Sequence, residues 1–288
     1  MVNLFDFAHD TRLFKKLTVN DLLFTEYKCL EKQPVFQVWS HYNYFVYVLS
    51  GQKKWQTLNA EYLVHTGEAI FVKKGANIIH KFFEVDFCAL ILFVPDDFIA
   101  NVFQQNGRNV IESDTTHEDA VFPIAMDETL SAYFQSVFSY FVKNEPPPKN
   151  LLEIKFKELI LNLICSPANQ SVCAYFRLLS SESKTSIADV METNFPFNLK
   201  LEEFARLSGR SLTTFKKDFV ATYGTTPGKW LTKKRLGLAQ RLLENSDKSI
   251  NQIAFESGFE NTSHFITVFK KEHSITPLQF KRSARIAS

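Results

Sequence analysis

Residues 205–227 and 254–277 carry one pattern of small, aromatic and turn residues twice, and few folds satisfy that constraint. The first copy reads Ala205, Gly209, Phe215, Phe219, Gly224 and Pro227; the second reads Ala254, Gly258, Phe265, Phe269, Ser274 and Pro277. The offset is 49 residues from Ala to Gly and 50 from the first Phe onward, so one residue is added in the turn while the helices on either side keep phase. Each copy predicts a helix, a short turn and a second helix. The alanine lets the two helices cross closely. The glycine accepts the positive φ that ends the first helix. The i, i+4 phenylalanine pair holds the second helix to its own core, so the residues between must face outward.

That geometry lets the second helix of each unit enter a major groove while the first braces it against the backbone. The outward set of the first unit is Thr213, Thr214, Lys216 and Lys217, with Ser211 at the helix mouth; that of the second is Asn261, Thr262, Ser263, His264, Thr267 and Lys270. Short hydroxyls and amides suit base edges and phosphates, and lysine adds charge that releases counterions. Any one of these side chains taken alone fits a solvated helix face equally well; the weight lies in the matched set. Lys229, Lys233, Lys234 and Arg241, between the units, read mainly as surface charge, and Arg235 as a member of an internal ion pair.

Charge divides in the same place. Residues 181–288 hold 17 Lys and Arg against 11 Asp and Glu, whereas the preceding 180 residues are net acidic, within an overall charge of +2. A basic C-terminal third on an acidic body fits a polyanionic partner for that third alone. With 288 residues there is room for two cores, and the polar break at Ser180–Thr185 separates residues 1–180 from 181–288. Cys29, Cys88, Cys165 and Cys173 lack zinc-knuckle or redox spacing and read as buried free thiols. No stretch approaches 18 uncharged apolar residues, and the N-terminus is not a secretory signal, so the expectation is a cytoplasmic protein without membrane contact. The 29 phenylalanines recur at core spacings and read as packing material.

Upstream, residues 18–95 read as β structure: short aromatic and β-branched runs at 35–39, 44–49, 69–72, 77–83 and 87–94 are punctuated by Ser50-Gly51, Thr66-Gly67 and Lys74-Gly75. Such spacing predicts a sandwich or small barrel. After Pro95 the period changes. A helix is predicted over 127–142, a stop at Glu145–Pro148, a second amphipathic helix through Leu151, Ile154, Leu159 and Leu163, and a third through Val172, Phe176 and Leu179. From Ser186 the chain reads as all helix. Ser211, Thr226 and Ser249 are predicted caps, and a short last helix from Pro277 frays into a basic tail, Lys281 to Arg285. The fold class is therefore α+β: an N-terminal β-barrel or sandwich with helices, then an all-α domain with two helix-turn-helix units.

Residues from about 186 to 284 resemble the tandem helix-turn-helix domain of the AraC/XylS family of transcription regulators. The match runs through 201–211, Phe215-Lys-Lys-Asp-Phe219, Tyr223-Gly-Thr-Thr-Pro227, 235–243, Ile253-Ala-Phe-Glu-Ser-Gly-Phe259 and 265–271. The resemblance implies two recognition helices in successive major grooves about 34 Å apart on one face of double-stranded DNA. It also implies a cupin-like sensor domain at 1–180, on the strength of 44–51 and 68–75. A small molecule or a regulatory protein would act there, with homodimerisation through the helices at 127–165, transcription activation, and RNA polymerase as a further partner. Lys217 and Thr267 stand where the family commonly has Arg, and Ser274 where it has Gly, so the bases read at 217 and 267 differ from the family pattern.

Neither a cofactor nor a metal is expected, and no enzyme: His41, His65 and His80 include no His-x-His pair and no carboxylate at cupin spacing. Trp39, Tyr42, Tyr44, Tyr47 and Trp55 can line a ligand pocket or simply pack, and strand alternation allows only part of the set to face inward. The competing function is a ligand- or protein-binding module whose helical domain no longer reads DNA.

Overall fold

Strand alternation, not any single motif, builds the N-terminal half. The structure, a computed structural model, describes residues 1–287 apart from 29–34, 58–59, 83–85, 108–118, 144–145 and 182–184. Cys29, Glu145 and the middle of the predicted domain break lie outside the described residues. The chain forms two compact units, Met1–Lys184 and Thr185–Ser288.

The first unit opens with β1 (Val2–Asn3) and α1 (Leu4–Asp10), followed by β2 (Lys15–Val19), β3 (Leu22–Lys28), β4 (Val35–Ser40), β5 (Asn43–Ser50), β6 (Gln52–Gln56), β7 (Glu61–His65), β8 (Ala69–Val72), β9 (Gly75–Lys81) and β10 (Cys88–Val94). Next come α2 (Asp96–Asn106), β11 (Val121–Ile124), α3 (Glu128–Val142), α4 (Lys149–Cys165) and α5 (Gln170–Ser181). One sheet has the order β1-β4-β9-β6-β7 and the other β11-β8-β5-β10-β3-β2.

β5 shows why its sequence is apolar on both parities. Tyr44, Val46 and Val48 enter the core between the two sheets, with Trp55, Ile79 and Phe93. Phe45 and Tyr47 enter a second core, where α2 to α5 cover the six-stranded sheet. A strand buried on both faces reads as a continuous run rather than an alternation. The result is three layers: sheet, sheet, helices. Asn43, fully buried, ties them together: its Nδ2 donates to Asp96 at 2.7 Å, and its Oδ1 accepts from Lys74 N at 3.0 Å and Tyr175 Oη at 3.1 Å.

Four details depart from the sequence reading of this unit. The β region begins at Lys15, is joined by β1, and is completed by β11, which lies beyond the change of period. α2 was unread because its buried residues are only Ile99, Val102 and Phe103, on a helix capped by Pro95 with no side-chain bond. Of the thiols described, Cys173 is buried, Cys88 half-buried and Cys165 exposed, because Cys165 falls at the last turn of α4 where its face meets solvent. The five pocket aromatics also diverge. Tyr44 and Trp55 point between the sheets. Tyr47 points the other way and stacks on Phe134 at 4.4 Å, whereas Tyr42 packs at the rim against Phe5 at 4.7 Å. Trp39 follows the inward Val38 and so sits on the opposite face of β4, near His41.

The second unit is helical throughout: α6 (Ile187–Asn194), α7 (Leu201–Leu207), α8 (Leu212–Tyr223), α9 (Pro227–Asn245), α10 (Ile250–Glu256), α11 (Thr262–His273) and α12 (Pro277–Ala287). α12 is an eleven-residue helix rather than a short fraying one, and Lys281 is not part of a solvated tail. It is buried and donates to the Lys248 carbonyl at 2.5 Å. No helix among the described residues is long and apolar enough to cross a membrane. Among the described residues no group of three or more His, Cys, Asp or Glu is placed to hold a metal ion.

Candidate nucleic-acid interface

α7–α8 and α10–α11 are the two helix pairs that the repeat predicts. Ala205 and Ala254 are buried at the crossings, and Gly209 and Gly258 have φ of 65° and 87°. Gly258 is constrained twice: a Cβ there would lie 2.8 Å from both the Pro196 carbonyl oxygen and Arg235 Nε. No side chain fits.

The second helix of each pair is fixed by the same three devices. A polar cap starts it: Ser211 Oγ accepts from Thr214 N at 3.2 Å, and Asn261 Oδ1 from His264 N at 2.8 Å. Two phenylalanines bury it: Phe215, Phe219, Phe265 and Phe269 are all fully inaccessible. A left-handed residue ends it, Gly224 at φ 65° and Ser274 at φ 62°. The repeat also extends past the prolines. Phe219 packs on Tyr223 at 4.6 Å and Trp230 at 5.9 Å, while Phe269 packs on His273 at 4.3 Å and Phe280 at 5.6 Å, each partner again 50 residues on. An aromatic cage around the second phenylalanine therefore clamps each projecting helix to the helix that follows it. Truncating a buried Phe of this kind to Ala costs about 3–5 kcal/mol.

From 211 to 220 and from 261 to 270 the burial classes match position for position. In the first, Ser211, Thr213, Thr214, Lys216, Lys217 and Val220 are exposed; in the second, Asn261, Ser263, His264, Ile266, Thr267 and Lys270 are exposed and Thr262 is half-buried. All eleven residues singled out from sequence thus fall on or beside the two outward faces. Their polar atoms are not equally available. Ser211 and Asn261 are committed to capping, Thr214 Oγ1 lies 2.9 Å from Ser211 Oγ, and Thr267 Oγ1 donates to the Ser263 carbonyl at 3.0 Å. That leaves Thr213, Lys216, Lys217, Ser263, His264 and Lys270 as the side chains most able to reach outward.

Two outward positions escaped the sequence reading, Val220 and Ile266, because apolar residues on a helix are assigned to its core by default. The 50-residue register exposes the error, since Ile266 occupies the place of Lys216. The basic residues between the units also separate. Lys234 Nζ is paired with the Glu192 carboxylate at 2.6 and 2.8 Å and lies 5.1 Å over Trp230. In the turn of the first unit, Arg210 pairs with Asp218 at 3.1 Å. Arg235 is anchored, but not by an ion pair: its Nε donates to the Phe195 carbonyl at 2.8 Å and its Nη2 to that of Phe197 at 2.7 Å. The chain turns at Pro196 between those carbonyls, which leaves them pointing at the connector. Burial lowers the Arg235 pKa to about 10, so it stays charged at neutral pH. Thr226 sits at the cap position of α9 without a side-chain bond, unlike Thr276, whose Oγ1 accepts from Gln279 N at 3.3 Å.

Known proteins resemble the chain over both units. Residues 43–175 match the family described as the ExsA N-terminal regulatory domain, and residues 204–283 match the helix-turn-helix domain family. The HTH-type transcriptional regulator ExsA of Pseudomonas aeruginosa is 30% identical over 237 residues, covering 81% of this chain and 84% of ExsA. The virulence regulon transcriptional activator VirF of Yersinia enterocolitica is 28% identical over 258 residues, covering 88% of this chain and 94% of VirF. The thermoregulatory protein LcrF of Yersinia pestis is similar to the same extent, 28% over 258 residues.

Proposed function

This chain belongs to the AraC family of DNA-binding transcription regulators, and from that premise we propose that it activates transcription by laying α8 and α11 in successive major grooves on one face of the DNA. The observation that carries this reading is the matched exposure of two helices whose outward side chains differ. Equal scaffolds place both helices at equal depth, and unequal side chains make the two grooves distinguishable. In the first unit Lys216 and Lys217 supply phosphate or guanine contacts and Thr213 a base contact. In the second, Ser263 and His264 offer polar contacts, Ile266 an apolar surface for a thymine methyl, and Lys270 a phosphate contact. Ser211, Asn261, Thr214, Thr262 and Thr267 orient the helix ends and add backbone contacts.

The N-terminal unit is the regulatory half. It receives a small molecule or a regulatory protein and pairs two copies through α3 and α4. Val142 and Ile154, 68% and 54% exposed on those helices, support an apolar contact there. RNA polymerase is the partner that activation requires, and the cytoplasm is where that partner and the DNA are met.

The test is equilibrium binding of the full chain to the DNA upstream of its own gene, against shuffled DNA of equal length and composition. Preference for the upstream DNA supports the proposal. Equal affinity for both overturns it and leaves a module that no longer reads DNA.

A further inference from the structure

The outward faces of α8 and α11 agree in shape and disagree in chemistry at one pair of places. Burial matches position for position over 211–220 and 261–270, and at 213 and 263 both faces carry a hydroxyl. One turn apart, however, a cation and an aliphatic side chain change places: α8 has Lys216 then Val220, and α11 has Ile266 then Lys270. All four are exposed, Val220 by 45% and Ile266 by 37%. Among the described residues neither Lys216 nor Lys270 forms an ion pair.

The helix itself does not ask for Val220. Phe215 and Phe219 already bury the opposite side of α8, and at an exposed helical position valine ranks below lysine or alanine. Val220 instead continues the outward stripe of Thr213, Lys216 and Lys217, which precede it by seven, four and three residues. At 1.5 Å per residue it lies about 10 Å along α8 from Thr213. In a major groove an aliphatic group meets one apolar partner, the C5 methyl of thymine, whereas an ammonium meets guanine O6 and N7 or a phosphate. The exchange therefore gives the two units opposite demands at matched depths. If α8 took the half-site of α11, Lys216 would face the methyl that suits Ile266, and Val220 would be too short for the phosphate that Lys270 reaches. The converse error strands Ile266 and Lys270 in the same way, so a reversed seating loses contacts in both units.

We propose that Val220 is a specificity-determining residue that takes a thymine methyl in the half-site of the first unit, and that the exchange of Lys216 and Val220 for Ile266 and Lys270 fixes the direction in which the chain seats along the DNA. The inference rests on reading α8 and α11 as the two DNA-reading helices.

The probe is the common sequence that the wild-type full chain selects from a random pool of duplex DNA. Each of its thymines is replaced in turn by deoxyuridine, which removes only the methyl, and affinity is read by fluorescence anisotropy. At one thymine in the half-site of the first unit, wild type should weaken by about fourfold, the worth of one buried methyl group, and Val220→Ala should not respond. A second duplex carries the two half-sites in exchanged order. Wild type should bind it about thirtyfold more weakly, and the variant combining Lys216→Ile, Val220→Lys, Ile266→Lys and Lys270→Val should narrow that gap by about tenfold. All four positions are exposed, so melting of each variant should match wild type. Val220→Ala that responds to every deoxyuridine as wild type does overturns the role of Val220. Equal wild-type affinity for the two orders, or a gap that the combined variant leaves unchanged, overturns the fixed direction. A pool that yields no common sequence rejects the reading of α8 and α11 and the inference with it, whereas a common sequence without these responses rejects the inference alone.

Discussion

Replacing Lys217 by Ala should change how binding responds to salt in a way that can be worked out beforehand. Lys217 is exposed, and among the described residues it forms no ion pair, so its charge is available to a phosphate. Each phosphate neutralised contributes about 0.9 to the slope of log affinity against log salt. Between roughly 50 and 200 mM salt, a fourfold change, one such contact weakens binding by about 3.5-fold. The ratio of wild-type to variant affinity should therefore shrink by about 3.5-fold over that range, on promoter and shuffled DNA alike. Lys270→Ala should behave the same way. Lys234→Ala is the internal control: its ammonium already faces Glu192 at 2.6 Å, so its slope should match wild type. Fluorescence anisotropy at four salt concentrations measures all three. Unchanged slopes for Lys217→Ala and Lys270→Ala, or an equal drop for Lys234→Ala, would refute the division of lysines made from their partners.

Three other outcomes are expected. Ser274→Gly should stabilise the helical unit by about 1 kcal/mol, because a non-glycine residue at φ 62° carries left-handed strain of about 1–2 kcal/mol, offset in part by the greater freedom of glycine in the unfolded chain; Gly224→Ala should cost about as much, and chemical denaturation reads both. Thr213→Ala and Ile266→Ala should shift which sequences are selected from a random pool while leaving the salt slope intact, and replacing thymine by deoxyuridine in the selected site should weaken wild type but not Ile266→Ala. Arg235→Met should destabilise the same unit by about 2–4 kcal/mol, since two buried carbonyls lose a charged donor, and Arg235→Lys should recover only part of that in the same melt.

The sequence repeat carried the helical unit almost whole because it states the constraint twice. Where a residue is fixed by the scaffold, as with Ala205 and Ala254 or Phe215 and Phe265, the same type recurs 49 residues on before the turn and 50 after it. The aromatic cage was harder to see, since Tyr223 and Trp230 recur as His273 and Phe280: the shape is kept and the residue type is not. Arg235 shows a different limit. A buried arginine calls for acceptors, but backbone carbonyls carry no side-chain signature, so the sequence reading turned to an ion pair. In the N-terminal unit the strand runs were plain, whereas β1 has only two residues and α2 buries only Ile99, Val102 and Phe103. The core between the two sheets was half visible. Tyr44 and Trp55 stood out as aromatics, but only the facing of the two sheets puts them in one core.

The central claim is that one chain reads DNA through two unequal helices in successive grooves. Hydroxyl-radical and methylation footprinting on the upstream DNA tests it most directly, with wild type compared against Thr213→Ala and Ile266→Ala. Two protected major-groove patches about 10–10.5 base pairs apart on one face are predicted, with Thr213→Ala exposing only one and Ile266→Ala only the other. A single protected patch, or two that respond together to either substitution, would contradict the account.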